Sequence, residues 1–195
     1  MNYYVDIKLL TDTEITLGFV WKKLYAQIHL ALVEVRDKNN LISIGLGFPK
    51  YSNDRFLGDT LRIFAPTKEE LEKLNLNRWI ARLLDYLTVS DIKEVPSNVT
   101  EFVSFRRKQF KTNAERLARR QAKRKGISYE EALKNYEKFD EEAKKEKNRL
   151  PYINVKSLSS NREMKLFIAK SEVKEENRGL FSTYGLSRES TVPIF

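Results

Sequence analysis

The chain has no cysteine and one histidine, His29, among 195 residues. Without cysteine there are no disulfides, zinc knuckles or thiol nucleophiles, which fits a reducing cytoplasm. A lone histidine rules out a paired-imidazole acid–base site, or a His-rich metal cage, within one chain. No stretch approaches the roughly 18 apolar residues that a membrane span needs. The opening MNYYVDIKLL carries an acid at Asp6 and no basic stretch before an apolar one, so no signal peptide is expected. Neither an internal repeat nor a low-complexity tract stands out beyond the charged helices.

What is present suits a soluble globular protein. Hydrophobic residues make up 41%, enough for a core, and charged residues 32%. The length allows one domain or two small ones. The net charge of +9 is unevenly placed. Residues 104–126, SFRRKQFKTNAERLARRQAKRKG, hold ten Lys/Arg and one acid, so the rest balances at 26 bases against 26 acids. Charge concentrated in this way points to a polyanionic partner, usually nucleic acid.

Hydrophobic spacing gives the organisation. Residues 3–10 alternate through Val5, Ile7 and Leu9 and predict a strand. Residues 16–36 predict a helix through Leu17, Leu24, Ile28, Leu32 and Val35. Strands are expected over 41–48, 60–65 and, weakly, 90–95. Between the last two, Thr67 and Glu70 form a capping box for a helix that breaks near Asn75–Asn77. Strand, helix, strand, strand, helix, strand is the ferredoxin-like order, a fold that implies no function alone. The character changes after Pro96, and a domain boundary is placed at residue 97. Beyond it, residues 101–106 read as extended. Thr112 with Glu115 caps a helix over 113–125 that Gly126 ends. Ser128 with Glu131 caps a second helix, to about Lys147. Extended stretches follow over 152–158, 164–170 and 180–184. The expected class is α+β: a ferredoxin-like domain over 1–97 and a second α+β domain over 98–195.

On a helical wheel Arg116, Arg119, Arg120, Lys123 and Arg124 share an arc of about 140°, with Ala114, Leu117, Ala118 and Ala122 outside it. A merely solvated helix mixes signs, as 129–147 does with seven acids and five bases. Here the single acid, Glu115, sits at the N-terminal end, where it suits the helix dipole. Arginine outnumbers lysine on the face, and its planar fork suits phosphates and guanine edges. Just upstream, Arg107 and Gln109 lie two apart in an extended segment, so both point one way and can read guanine and adenine edges.

His29 falls near the edge of the apolar stripe of the first long helix. It is either an idle, partly exposed residue or a general base, since free imidazole titrates near pH ~6.5. RNA carries its own nucleophile, the 2′-hydroxyl, so an enzyme cleaving it needs only a base, an orienting group and a proton donor. The acids show no metal-nuclease spacing; seven of the 27 fall on the mixed-charge helix.

Seven blocks now stand in order: YYVDIKLL, AQIHLALV around His29, GLGFP, VSFRRKQFKTNAERLARR, KSLSSNREMKLFI, FSTYGLS and the closing VPIF. From end to end the chain resembles the precursor-RNA processing endoribonucleases of type I-F CRISPR systems, the Cas/Csy group. The resemblance implies a ferredoxin-like N-terminal domain and an arginine-rich helix that enters the major groove of a repeat-RNA hairpin near one end of its stem. That would be an exception to the usual inaccessibility of A-form major grooves. It implies that His29 activates the 2′-hydroxyl, that Ser157 orients the hydroxyl or the histidine, with Ser159 as a second candidate, and that Tyr184 positions the histidine. Arg107 and Gln109 would read bases, while Arg116, Arg119, Arg120, Lys123 and Arg124 hold phosphates or groove. The implied products are a 2′,3′-cyclic phosphate and a 5′-hydroxyl, formed with no metal or other cofactor. The implied partners are a CRISPR repeat hairpin, retained after cleavage, and the other Cas subunits of a surveillance complex, with no membrane.

This chain departs from the group at Met164, where relatives can carry a stacking aromatic, and at Ala118 and Lys123, where they can carry arginine. Two other functions fit the basic helix: a non-catalytic hairpin-binding subunit, and a DNA-binding module, for which no clear helix-turn-helix precedes the helix. His29, Ser157 and Tyr184 together separate the enzyme from the binding subunit, because binding alone needs none of them.

Overall fold

Val5, Ile7 and Leu9 alternate with polar neighbours, and in the computed structural model they form one buried face of β1 (Tyr3–Leu9). The structure describes residues 1–11, 14–110, 114–136, 139–156 and 162–195, with the side chains of 139, 140 and 142 set aside. Strand β1 is the centre of an antiparallel sheet. It pairs along its length with β4 (Thr60–Ala65) on one side. On the other it meets β5 (Leu87–Val89) and β6 (Lys93–Glu94). Strand β3 (Gly45–Gly47) extends the sheet beyond β4, giving the order β3-β4-β1-β5.

Helix α1 (Leu17–Glu34) starts where the Thr16 hydroxyl accepts from the Phe19 amide. Val20, Trp21, Leu24, Tyr25, Ile28, Ala31 and Leu32 form its buried stripe. Full burial of a residue such as Leu24 or Ile28 contributes about 1.5–3 kcal/mol. Thr67 caps α2 (Lys68–Lys73) through the Glu70 amide, as the capping box predicts. Asn75 at φ 47° then breaks the run before α3 (Leu76–Ile80), which passes into a 3-10 turn over Ala81–Tyr86.

The expected strand over 41–48 is two pieces that serve different sheets. Strand β2 (Leu41–Ile42) pairs with β10 (Phe181–Ser182), whereas β3 joins the sheet of β1. The two glycines of GLG allow the change of sheet. A Cβ at Gly45 would meet both Phe181 and Val192 at 2.8 Å. The weak strand expected over 90–95 also divides. The Ser90 hydroxyl takes the Asp6 amide at 3.0 Å, so the ladder breaks between β5 and β6.

The second sheet is antiparallel and four-stranded, in the order β11-β7-β9-β8, built from β7 (Glu101–Lys108), β8 (Tyr152–Lys156), β9 (Glu163–Val173) and β11 (Val192–Ile194). Strand β11, in the closing VPIF, had no counterpart in the expected strands; three residues are too few to show a period. Helix α4 (Ala114–Lys125) ends at Gly126, whose φ of 66° is the left-handed cap. The expected Thr112 cap lies outside the described residues. The single helix expected from Ser128 to Lys147 is replaced by α5 (Tyr129–Lys134) and α6 (Phe139–Arg149). Ser128 caps α5 as expected, but the Asn135 amide side chain donates back to the Glu131 carbonyl near its end.

One hydrophobic cluster takes in residues from both sides of position 97. It joins Ile28 and Leu46 to Phe105, Ile153, Ile168 and Val192. Phe48 and Phe105 meet edge to face at 5.0 Å, and the Tyr51 hydroxyl donates to the Ile168 carbonyl at 3.0 Å. Helix α1 packs on β8, which brings the second sheet beside the histidine helix. No described helix is long and apolar enough to cross a membrane.

Candidate functional site

The site begins with helix spacing. Tyr25 and His29 are four residues apart on α1 and so share a face. That face meets the segment 181–187, FSTYGLS. The buried Tyr25 hydroxyl donates to the Tyr184 carbonyl at 2.8 Å. His29 Nδ1 lies 2.8 Å from the Thr183 carbonyl. A carbonyl oxygen only accepts, so Nδ1 carries the proton, and in the neutral ring Nε2 keeps its lone pair. The His29 and Tyr184 rings stack with centroids 4.6 Å apart and planes 12° from parallel. The imidazole is thus fixed in plane and in tautomer, and it is half-buried.

The 181–187 segment is itself held by the main chain. Ser182 offers both its amide and its hydroxyl to the Leu186 carbonyl, at 3.1 and 2.8 Å. The Gly185 amide closes a turn onto the Ser182 carbonyl at 2.7 Å. Gly185 adopts φ 67°, and a Cβ there would run into the Leu46 side chain. Leu46 and Ser187 add amide bonds to the Gly185 and Phe105 carbonyls, at 2.9 Å each. Burial pushes the Tyr25 phenol far above the usual tyrosine range; the nearby Tyr184 adds to this and the Arg107 cation opposes it. Tyr25 therefore remains a protonated donor.

Arg107 extends the site. Its guanidinium lies 5.3 Å from the Tyr184 ring centroid, and its Nη2 reaches the Met164 sulfur at 3.7 Å. The strand register of β7 turns the next side chain the other way, and Lys108 pairs with Glu146 of α6 at 2.6 Å. Gln109 is exposed just beyond the end of β7. Arg107 thus stands against the His29–Tyr184 stack, a contact that spacing along β7 does not reveal.

Ser157 and Ser159 lie outside the described residues. Their flanking residues pair across the β8–β9 hairpin, Lys156 with Glu163. Lys22 of α1, seven residues before His29, holds Glu163 at 2.6 Å.

Helix α4 sits apart from this stack. Arg116, Arg119, Arg120, Lys123 and Arg124 are all exposed. Ala118 is fully buried, and α4 packs on α5, where Ala132 is also fully buried; small side chains let the two helices approach closely. Arg119 reaches Glu115 at 3.7 Å, but both side chains are about two-thirds exposed or more, so the pair cancels little charge.

Three contributors are not among the residues that the sequence singles out. Thr183 acts through its carbonyl, which any residue supplies. Tyr25 has the signature of an ordinary core aromatic, though its place four residues before the histidine was available. Gly185 could have been found from the TYG turn.

The family model described as CRISPR-associated protein (Cas_Csy4) matches residues 4–195. A CRISPR-associated endonuclease Cas6/Csy4 of Escherichia coli (strain UTI89 / UPEC) is 33% identical over 196 residues, covering 100% of each chain. Its counterpart from Pseudomonas aeruginosa (strain UCBPP-PA14) is 32% identical over 197 residues, again covering 100% of each. Among solved structures, the chain is similar to an RAMP protein binding different RNA substrates, at 12% identity and a TM-score of 0.37 with 100% of each chain covered. It is also similar to a Cas6-related protein of Pyrococcus furiosus, at 14% identity and a TM-score of 0.38, covering 100% of this chain and 99% of the other. Both superpositions are loose, and the family rests on the sequence relatives.

Proposed function

The chain belongs to the Csy4 family of CRISPR-associated proteins, and from that premise we propose that it is an endoribonuclease that cleaves repeat hairpins in CRISPR precursor RNA. The observation that carries this reading is the His29 ring, with Nδ1–H given to the Thr183 carbonyl and one face on Tyr184. That arrangement suits a general base acting through Nε2.

In the proposed reaction Nε2 takes the proton of the 2′-hydroxyl on the nucleotide upstream of the cut. The 2′-oxygen attacks the adjacent phosphorus, and the bond to the downstream 5′-oxygen breaks. The upstream fragment ends in a 2′,3′-cyclic phosphate, and the departing oxygen takes a proton to become a 5′-hydroxyl. The RNA supplies the nucleophile, so this route calls for no metal. Ser157 would orient the 2′-hydroxyl, with Ser159 as the second candidate. Tyr184 holds the plane of the imidazole.

Holding the RNA falls to other residues. Arg116, Arg119, Arg120, Lys123 and Arg124 lie along the phosphates or groove of the stem, and Arg107 and Gln109 read bases at its foot. The sheet order β3-β4-β1-β5 with α1 and α2 between its strands supports a ferredoxin-like unit over 1–97. Residues 98–195 would be the RNA-holding unit. We place the protein in the cytoplasm, retaining its product within a type I-F assembly of Cas subunits.

The test is incubation of the purified protein with its neighbouring repeat RNA in a chelator. A single cut leaving a cyclic phosphate is expected, and hydrogen in place of the 2′-hydroxyl upstream of the cut should abolish cleavage but not binding. Cleavage that needs added divalent metal, or that persists without the 2′-hydroxyl, would overturn the mechanism. Tight hairpin binding without any cut would leave the non-catalytic subunit.

A further inference from the structure

A second surface on α1 combines aromatic and cationic groups, away from both His29 and α4. A groove of about 670 Å³ lies between the N-terminal half of α1 and the α3–3-10 segment. Phe19, Trp79 and Tyr86 line it together with Lys23, Arg78 and Arg82, and no carboxylate is among the described lining residues. Phe19 is 50% exposed, so part of its ring is open to contact. Lys23 lies 5.5 Å from the Phe19 ring centroid and Arg78 5.2 Å from that of Trp79. Arg78 also meets Glu34 at 3.2 Å, an exposed pair of little strength.

Flat π faces interleaved with cations are what a single-stranded nucleic acid needs: bases stack on the rings and phosphates meet the charges. The position on α1 suggests which strand. Phe19 and Lys23 precede His29 by ten and six residues, about 15 and 9 Å along the axis. They lie roughly 80–120° around the helix from it. The exposed side of α1 at Ala26 lies between. At that separation the groove is within reach of a few nucleotides of single strand running from His29.

We propose that the groove binds single-stranded RNA contiguous with the hairpin on the scissile side, stacking bases on Phe19, Trp79 and Tyr86 and meeting phosphates with Lys23, Arg78 and Arg82. This rests on the reading above that the protein binds and cuts an RNA hairpin. It adds a footprint outside the stem and makes affinity depend on the flank.

The experiment compares a hairpin alone with the same hairpin carrying an extension of about eight nucleotides on the scissile side, both blocked by a 2′-deoxy substitution at the cut. Binding is measured by fluorescence anisotropy for the native chain and for the K23A/R82A double variant, whose folding is checked by its melting curve. The extension should tighten binding by the native chain about tenfold, the scale of one stacked base. K23A/R82A should lose the phosphate share of that gain, about threefold, and bind the bare hairpin as before. The extra salt dependence due to the extension should fall in slope by about 1.4, two phosphate contacts on a single strand.

An extension that adds nothing to native affinity overturns the proposal, and so does a double variant weakened equally on both RNAs. A groove that proves to dock a protein subunit, with no effect of the extension, overturns it as well. These results leave the hairpin reading standing, whereas failure to bind the bare hairpin at all would remove that reading instead.

Discussion

Helix α4 and the His29 pocket are built on opposite principles. The helix presents five exposed cations on one face and is held from behind by alanine contacts. The pocket has one cation, Arg107, among its named contacts, and is fixed by main-chain carbonyls, a ring stack and a left-handed glycine. Long, exposed side chains can follow a phosphate backbone and give up counterions, so they suit holding. A base that must meet one proton cannot move in this way, and rigid backbone acceptors suit it better. Under the proposed function charge and chemistry are therefore separable, and Arg107, touching Tyr184 from the strand that leads to α4, is the residue placed to join them.

Variants can break that separation. His29→Ala should lower single-turnover cleavage by at least about 10³-fold, within the range of a lost general base, with hairpin affinity changed less than about twofold. A rate assay paired with filter binding checks both. The triple change R119A/R120A/R124A should do the reverse. It should weaken binding about a hundredfold and flatten the log–log salt slope by about 2.7, while the cleavage rate at saturating protein holds. Tyr184→Ala should cost about tenfold in that saturated rate, because the ring plane is no longer fixed, again with little change in affinity.

Two smaller effects test the frame of the pocket. Gly185→Ala should destabilise the fold by about 2 kcal/mol, since the new Cβ meets Leu46 in a left-handed backbone; denaturant unfolding measures it. Tyr25→Phe removes one buried hydrogen bond and should cost about 1 kcal/mol in the same assay, with a modest fall in rate as the Tyr184 turn loosens.

Much of this was legible in the sequence, for reasons that differ by residue. The face of α4 follows from helical spacing alone, and the structure exposes those five residues. Strand β1 and helix α1 have long, clean periods. The strand over 41–48 misled because Ile42, Ile44, Leu46 and Phe48 keep one alternation across two sheets, and only the partners, β10 and β4, reveal the break. The helix expected over 129–147 misled because capping signals show where a helix starts and not where it ends; α5 ends at Lys134, where the Asn135 side chain donates to the Glu131 carbonyl. His29 stands out as the lone histidine and a candidate base, whereas Tyr184 stands out only through resemblance to a family. Their contact joins residues 155 positions apart, and the Thr183 carbonyl that sets the tautomer belongs to no residue type.

The most direct test of the separation is salt dependence measured twice on one cleavable hairpin, for affinity and for the single-turnover rate at saturating protein. Affinity should fall with a log–log slope of roughly −4, and the saturated rate should be nearly flat. A rate that falls as steeply as the affinity would contradict the separation, because the cations of α4 would then be acting on the cut itself.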